Sequence, residues 1–262
     1  MAGIYESARR PIFGIYKPTS TNRRTLAQTE NTLTATAPLH PKVGVSVVIF
    51  TLIPTENAMQ EMAVLLVRRT KPPYDGNWAL PGGWVYEGNS LTEAALWQLN
   101  DKTSLRPDFL EQLYTFGLPD RDPREHRIAV TYFALVKWAE QSVSPGPGAS
   151  AASWFGINDL PVPLAFDNEE IIDYAVRRLR SKVDYAHLAF RFLEPEFTLS
   201  ELRLVYESVL GKKVDPANFR RRVEAAGTVA PSGRKQQSVP HRPARLYRCV
   251  VSIEDLIDAP KT

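Results

Sequence analysis

Gly83-Trp-Val-Tyr-Glu-Gly-Asn-Ser-Leu-Thr-Glu-Ala-Ala-Leu-Trp-Gln-Leu-Asn-Asp-Lys-Thr-Ser-Leu105, entered through Leu80-Pro-Gly-Gly83, is the stretch on which the fold turns. Ser90 and Glu93 stand at the S-x-x-E spacing in which two side chains satisfy the orphan amides at the start of a helix. From there Leu91, Ala94, Ala95 and Leu99 recur at helical spacing and predict one apolar stripe. Gln98, Asp101 and Lys102, at i, i+3 and i+4, share a second face. Several carboxylates on such a face would chelate a hard cation such as Mg²⁺. Here the face offers an amide, one carboxylate and one ammonium, which sum to zero charge and put a cation where a metal would sit.

In this register the stretch resembles the Nudix box, G-x5-E-x7-R-E-U-x-E-E-x-G-U, with U a bulky apolar residue. The acidic positions fall on Asn89, Gln98, Asp101 and Lys102, the box arginine on Trp97 and its last glycine on Ser104. The plain alternative is any amphipathic helix behind a Gly-Gly turn. Against it, the strand Ala63-Val-Leu-Leu-Val67 ends in Arg68-Arg69, and Trp78-Ala-Leu-Pro-Gly-Gly83 follows a polar loop, as in the family. The resemblance therefore implies a Nudix fold whose Mg²⁺-dependent hydrolysis is lost or very weak: no catalytic residue, no metal ligand and no cofactor is assigned. Glu87 and Asp101 read as solvated surface acids. The rival reading is an active hydrolase that uses Asp101, Glu87 and a displaced acid such as Glu111.

The formal charge of +3 conceals an asymmetry. Between Gly211 and Arg248 ten Lys or Arg face only Asp215 and Glu224, a local +8 that leaves −5 for the remainder. A basic segment on a mildly acidic body points to a polyanion partner for that segment alone. The single cysteine, Cys249, excludes an intramolecular disulfide framework and fits a reducing, cytoplasmic setting. The most apolar run, Val43 to Pro54, falls short of the roughly 20 residues of a membrane helix and reads as a buried strand, so no membrane partner is expected.

Residues 1–41, rich in Thr, Asn, Arg and Pro, read as an N-terminal arm or tail. Residues 42–184 alternate strands and helices, which predicts an α/β domain: a Nudix α/β/α sandwich with a mixed sheet. Its expected strands are Val43–Pro54, Met62–Arg68, one around Leu113–Phe116, Ile128–Lys137 and Ala152–Ile157. A long amphipathic helix is expected over Ala165–Leu179, and Ser142–Ser150 reads as a flexible loop. Residues 185–262 hold a compact module of different character. Thr198 with Glu201, stapled by Phe197 and Leu202, opens one helix that Gly211 ends; Asp215 with Pro216 opens a second that Gly227 stops. Two short helices and basic strands describe a winged helix-turn-helix. On the second helix Phe219, Val223 and Ala226 are expected to face the core. Ala217, Asn218, Arg221 and Ala225 then point outward, with Asn218 and Arg221 as base readers. Lys212, Lys213, Arg220 and Arg222 are expected to reach phosphates. His241-Arg-Pro-Ala-Arg-Leu-Tyr-Arg248, after a Ser232-Gly233 turn, is expected to be the wing, with Arg242, Arg245 and Arg248 on backbone or minor groove and Arg234 on DNA as well.

A decayed Nudix domain followed by this module is similar to the NrtR family of Nudix-related transcriptional regulators. The resemblance runs from about Val43 to Arg248. It rests on Trp78–Gly83, Asp120-Arg-Asp-Pro-Arg124, Leu164-Ala-Phe-Asp167, Phe197–Leu202, Asn218-Phe-Arg-Arg221 and Arg242-Pro-Ala-Arg-Leu-Tyr247. It implies a homodimer that represses NAD-biosynthesis genes through an operator in double-stranded DNA and is released by ADP-ribose or a related nucleotide; related branches resemble regulators of sugar use. For the effector site, Lys102 together with Arg68 or Arg69 is expected to replace the metal's charge on a diphosphate. Trp78, Gly82 and Gly83 shape the same pocket, and Arg121, Arg124 and Arg127 reach phosphates or form loop salt bridges with Asp120 and Asp122.

Overall fold

A computed structural model describes residues 40–55, 60–107, 109–138, 143–183, 188–236 and 243–251. The N-terminal arm through residue 39, the wing residue Arg242 and the expected domain boundary at 184–185 lie outside these residues. Strand β1 (Lys42–Pro54) is the spine. Side chains alternate along a strand, and here both faces are covered, which is why the sequence reads as an almost unbroken apolar run. Val45, Val47 and Ile49 enter one core, while Val48, Phe50 and Leu52 enter the other.

Strand β2 (Gln60–Arg69) pairs antiparallel with β1 and carries β3 (Trp78–Ala79) and β7 (Ala149–Gly156). Strand β4 (Gly82–Trp84) pairs with the start of β1. On the other side β6 (Arg127–Leu135) runs parallel to β1, and β5 (Phe109–Phe116) forms the edge beside β6. The result is the expected mixed sheet, seven-stranded.

Helix α1 (Leu91–Thr103) covers one face through Ala94, Ala95 and Leu99 against Val47, Ile49, Leu65 and Tyr132. Its capping box is present: Ser90 Oγ accepts from Glu93 N at 3.2 Å and Glu93 Oε2 accepts from Ser90 N at 2.9 Å. Helix α2 (Asn168–Lys182) covers the other face through Ile171, Ile172, Ala175 and Leu179. Each fully buried Leu, Ile or Phe in these layers contributes about 1.5–3 kcal/mol of transfer free energy. The α/β/α sandwich is thus as the sequence indicated. The segment Val143–Gly148, expected to be flexible, is instead docked on α1: Gly146 N donates to Lys102 O at 3.1 Å.

Beyond α2 a 3₁₀ turn (Leu188–Phe192) leads to α3 (Leu199–Leu210) and α4 (Pro216–Ala226). Thr198 and Glu201 cap α3 reciprocally, and Gly211, at φ 67°, ends it in the left-handed conformation that glycine tolerates. Asp215 Oδ1 accepts from Asn218 N at 2.8 Å to start α4. Phe219 and Val223 are buried, with Phe219 edge-on to Tyr206, whereas Ala226 is exposed and does not face the core as expected. The helix ends at Gly227 one residue later, before another buried turn forms.

Strands β8 (Val229–Lys235) and β9 (Arg245–Cys249) make the wing. Ser232-Gly233 is not its turn. The pair lies inside β8, where the register slips between Pro231 and Lys235 and Gly233 takes φ 84°, so it is a bulge. Tyr247 exchanges two backbone bonds with Phe197, tying the wing to the start of α3. The helical module rests on the sandwich: Ser208 Oγ donates to Gln60 O at 2.7 Å and Arg180 Nε to Val209 O at 2.9 Å. One apolar core continues from Phe50 and Leu179 to Leu202, Phe219 and Tyr247. Among the described residues no helix is long and apolar enough to cross a membrane.

Candidate functional site

A cleft of about 480 Å³ opens where the Gly-Gly turn, the start of β1, α1 and the Arg121–Ile128 segment meet. Close packing demands its glycines. A methyl on Gly82 would overlap Val45 O and lie 3.0 Å from Ser46 Cα, both backbone atoms of β1; a methyl on Gly83 would overlap the Gln98 amide.

That amide decides the box chemistry. Gln98 is only 3% exposed, and its Nε2 donates to Trp84 O at 3.2 Å, so the side chain is built into the turn. Asp101 is ion-paired with Lys102 at 3.0 Å, and Lys102 Nζ also donates to Pro147 O at 2.6 Å. Lys102 therefore lines the cleft as expected, but its charge is shared with Asp101 and the docked loop and is not held ready for a phosphate. Asn89 and Glu87 are exposed. Glu111 is ion-paired with Lys182 of α2, the helix that covers the sheet face opposite α1. Among the described residues no group of three or more His, Cys, Asp or Glu is placed to hold a metal. The residues present do not fit a Mg²⁺ site.

What the cleft does hold is positive charge. Arg69, Lys71, Lys102, Arg121, Arg124 and Arg127 line it; among the described lining residues Asp122 is the one acid, while Glu125 pairs with Arg127 from outside the lining. Arg121 is paired bidentately with Asp167, at 2.8 and 2.7 Å. Asp167 stands at the N-cap of α2 without a side-chain capping bond, because its carboxylate is given to Arg121. Asp122, buried, accepts from Arg124 Nε at 2.9 Å and lies 3.2 Å from Arg127. Burial alone would push the Asp122 carboxyl up, but hydrogen bonds from Arg124 and the charges of Arg124 and Arg127 hold it below the ordinary range. The same bonds raise Arg124. Burial, and next the nearby Arg124 charge, lower Arg69 from its ordinary value, against the opposing pull of Asp122 and Asp75. Arg69 and Arg124 flank the Phe166 ring at 4.9 and 5.6 Å, and Arg127 lies 4.3 Å from the Trp84 ring.

Of the expected effector residues the structure thus brings together Arg69, Gly82, Gly83, Lys102, Arg121 and Arg124. Two stand outside the lining. Arg68 points away and donates to Gly76 O, and Trp78 packs edge-on against Phe155. Sequence reasoning missed Gln98 as a buried structural group, and with it Trp84, Tyr86, Trp97, Phe166 and Asn168, all of which line the cleft. The segment Leu164-Ala-Phe-Asp167 was the available signal for Phe166 and for Asp167, the partner of Arg121. Asn168 Oδ1 accepts from Leu80 N at 2.7 Å, which ties the Gly-Gly turn to α2.

On the helical module Asn218 and Arg221 share one exposed face of α4 and hydrogen-bond to each other. Arg220 pairs with Glu224 at 2.9 Å, and Arg222 lies over the rings of Tyr206 and Phe219. Lys212 is exposed beside Lys213, and Lys213 reaches Glu207 at 3.5 Å. Arg234 meets Glu196 at 3.5 Å, and Arg245 is exposed on β9. Glu207 organises this turn: its Oε1 accepts from Val214 N at 2.8 Å and from Arg203.

Residues 42–175 match the family model of the NUDIX domain, and residues 189–249 match that of the NrtR DNA-binding winged helix domain. The fold and cleft thus define a Nudix-domain protein with an appended winged helix. The ADPR responsive transcriptional repressor NtrR of Acinetobacter baylyi is 33% identical over 193 residues, 72% of this chain and 76% of that protein. The crystal structure of Shewanella oneidensis NrtR complexed with a 27mer DNA superposes with a TM-score of 0.66 at 37% identity, covering 79% of this chain and 93% of that one. Over the Nudix part, the ADP-ribose pyrophosphatase of Methanocaldococcus jannaschii is 36% identical across 52% of this chain and 74% of that protein. The chain belongs to the NrtR family.

Proposed function

We propose that this chain is a transcriptional repressor that holds operator DNA through α4 and the wing, and senses ADP-ribose or a related nucleotide in the Nudix cleft without hydrolysing it. The observation that carries the reading is the cleft's composition: its described lining has six basic side chains and one acid, with Asp101, Asp167 and Glu125 pairing three of the six from outside it, and an amide stands where a metal-binding acid would. On this reading a diphosphate competes with the carboxylates that now pair with these arginines, and no metal is needed to offset its charge. The similar repressor of Acinetobacter baylyi is named as ADPR responsive, and the similar Shewanella protein has been crystallised with DNA. On this reading Arg69, Arg121, Arg124 and Arg127 bind the phosphates. Asn218 and Arg221 read bases, while Lys212, Lys213, Arg220, Arg222, Arg234, Arg242 and Arg245 act through charge. The regulated genes serve NAD metabolism, the protein works in the cytoplasm, and two copies bind a symmetric site.

A second reading, hydrolysis of ADP-ribose, is favoured by the likeness to the archaeal pyrophosphatase. A gel shift on the gene's own upstream DNA, with competitor DNA and a salt titration, separates the readings. Specific retention that ADP-ribose abolishes supports the repressor. Robust turnover of ADP-ribose with Mg²⁺ or Mn²⁺, and no specific retention, supports the enzyme.

A further inference from the structure

We propose that Tyr86 and Trp97 form an aromatic platform at the mouth of the cleft that stacks on the base of the bound nucleotide and selects base-bearing ligands over sugar phosphates. The proposal rests on the reading of the cleft as a nucleotide site. Tyr86 lies in the turn after β4, and Trp97 lies on α1 beside Gln98, with ring centroids 6.2 Å apart and planes at 85°. Both line the cleft, yet they are 56% and 50% exposed. Rings of this size dominate the energetics of cores and interfaces, and an exposed pair is an unused contact surface. The edge-to-face contact orients each ring against the other while about half of each residue stays accessible. The same cleft carries positive charge from Arg69, Arg124 and Arg127. A ligand that satisfies both regions carries negative charge next to a flat heteroaromatic ring, which is the chemistry of a nucleotide and not of a sugar phosphate. Trp97 stands where the Nudix box has arginine, so this chain has exchanged a charge for a π surface at that point.

Calorimetry in EDTA with ADP-ribose and with ribose 5-phosphate tests this on the full chain, comparing wild type with Trp97→Leu and Tyr86→Leu. Both substitutions are at exposed positions, and thermal unfolding of the free proteins checks that the fold is kept. Trp97→Leu is expected to weaken ADP-ribose binding by about 5- to 150-fold, the range of base-on-aromatic stacking, while ribose 5-phosphate binding, weak or strong, stays the same. Trp97→Phe should recover part of the loss. An ADP-ribose affinity unchanged in both leucine variants overturns the platform and leaves the nucleotide reading standing. Equal losses for the two ligands also overturn it, because the ring would then be supporting the whole cleft. A wild-type protein that binds no ADP-ribose overturns both.

Discussion

Gly83→Ala tests whether Gln98 is part of the turn. The added methyl would overlap the Gln98 amide, and that side chain is 3% exposed and bonded to Trp84 O, so it can swing aside only by giving up that bond in a buried position. Overpacking costs about 1–3 kcal/mol and the lost hydrogen bond about 1, which puts the substitution near 2–4 kcal/mol of destabilisation. Gln98→Ala alone should cost about 1–2 kcal/mol, the loss of one part-buried hydrogen bond to Trp84 O. In Gly83→Ala/Gln98→Ala the new methyl enters the space the amide vacates, so the pair should fall short of the sum by about 1–2 kcal/mol. Urea denaturation of the four proteins, with m-values compared, gives the cycle. Additivity within about 0.5 kcal/mol, or a neutral Gly83→Ala, would refute the placement of Gln98. Gly82→Ala is the harsher control, because its methyl meets backbone of β1 that cannot swing aside.

Restoring acids to the box, Gln98→Glu with Lys102→Glu, is expected to yield no Mg²⁺-dependent turnover of ADP-ribose, because residue 98 faces the Trp84 carbonyl in a buried position; a phosphate-release or product assay that finds turnover contradicts this. Asp122 and Glu207 both have carboxyls held below their ordinary range, so their stabilisation is complete above the unfolded value near 4 and is lost as pH falls through the depressed folded value. Asp122→Asn and Glu207→Gln should therefore lower stability at neutral pH and flatten the acid limb of a stability-versus-pH curve; an acid limb as steep as wild type would count against the pairing. Arg221→Ala should cost about 1–3 kcal/mol of DNA binding and relax sequence preference, while Lys212→Ala should weaken all sequences alike and reduce the salt slope by about 1. Binding titrations at several salt concentrations distinguish the two effects.

What the sequence disclosed and what it hid divide along contact range. The helix ends were legible because capping is local: Ser90 with Glu93, Thr198 with Glu201, Asp215 with Pro216, Gly211 and Gly227 all act within a few residues. The two-sided burial of β1 was legible as an apolar run. The pairing of Arg121 with Asp167, 46 residues away, was not, and neighbouring Asp120 and Asp122 looked the more natural partners. Nor was the docking of Val143–Gly148: its Pro and Gly residues suggested a free loop, but Gly146 fits against Asp101, where a side chain would overlap the backbone. The rotation of α1 put Gln98 on the metal-binding face, and the helical wheel did not show that the Gly-Gly turn would close over it. Tyr86 and Trp97 carried no pattern beyond the loss of the box arginine.

Calorimetric titration of the full chain with ADP-ribose, once in EDTA and once in excess Mg²⁺, tests the central claim that the cleft's own cations do the work of a metal. The account predicts binding in EDTA, with an affinity that Mg²⁺ does not improve and with ADP-ribose recovered intact. Heat of binding that appears only with Mg²⁺, or a ligand consumed during the titration, would contradict it.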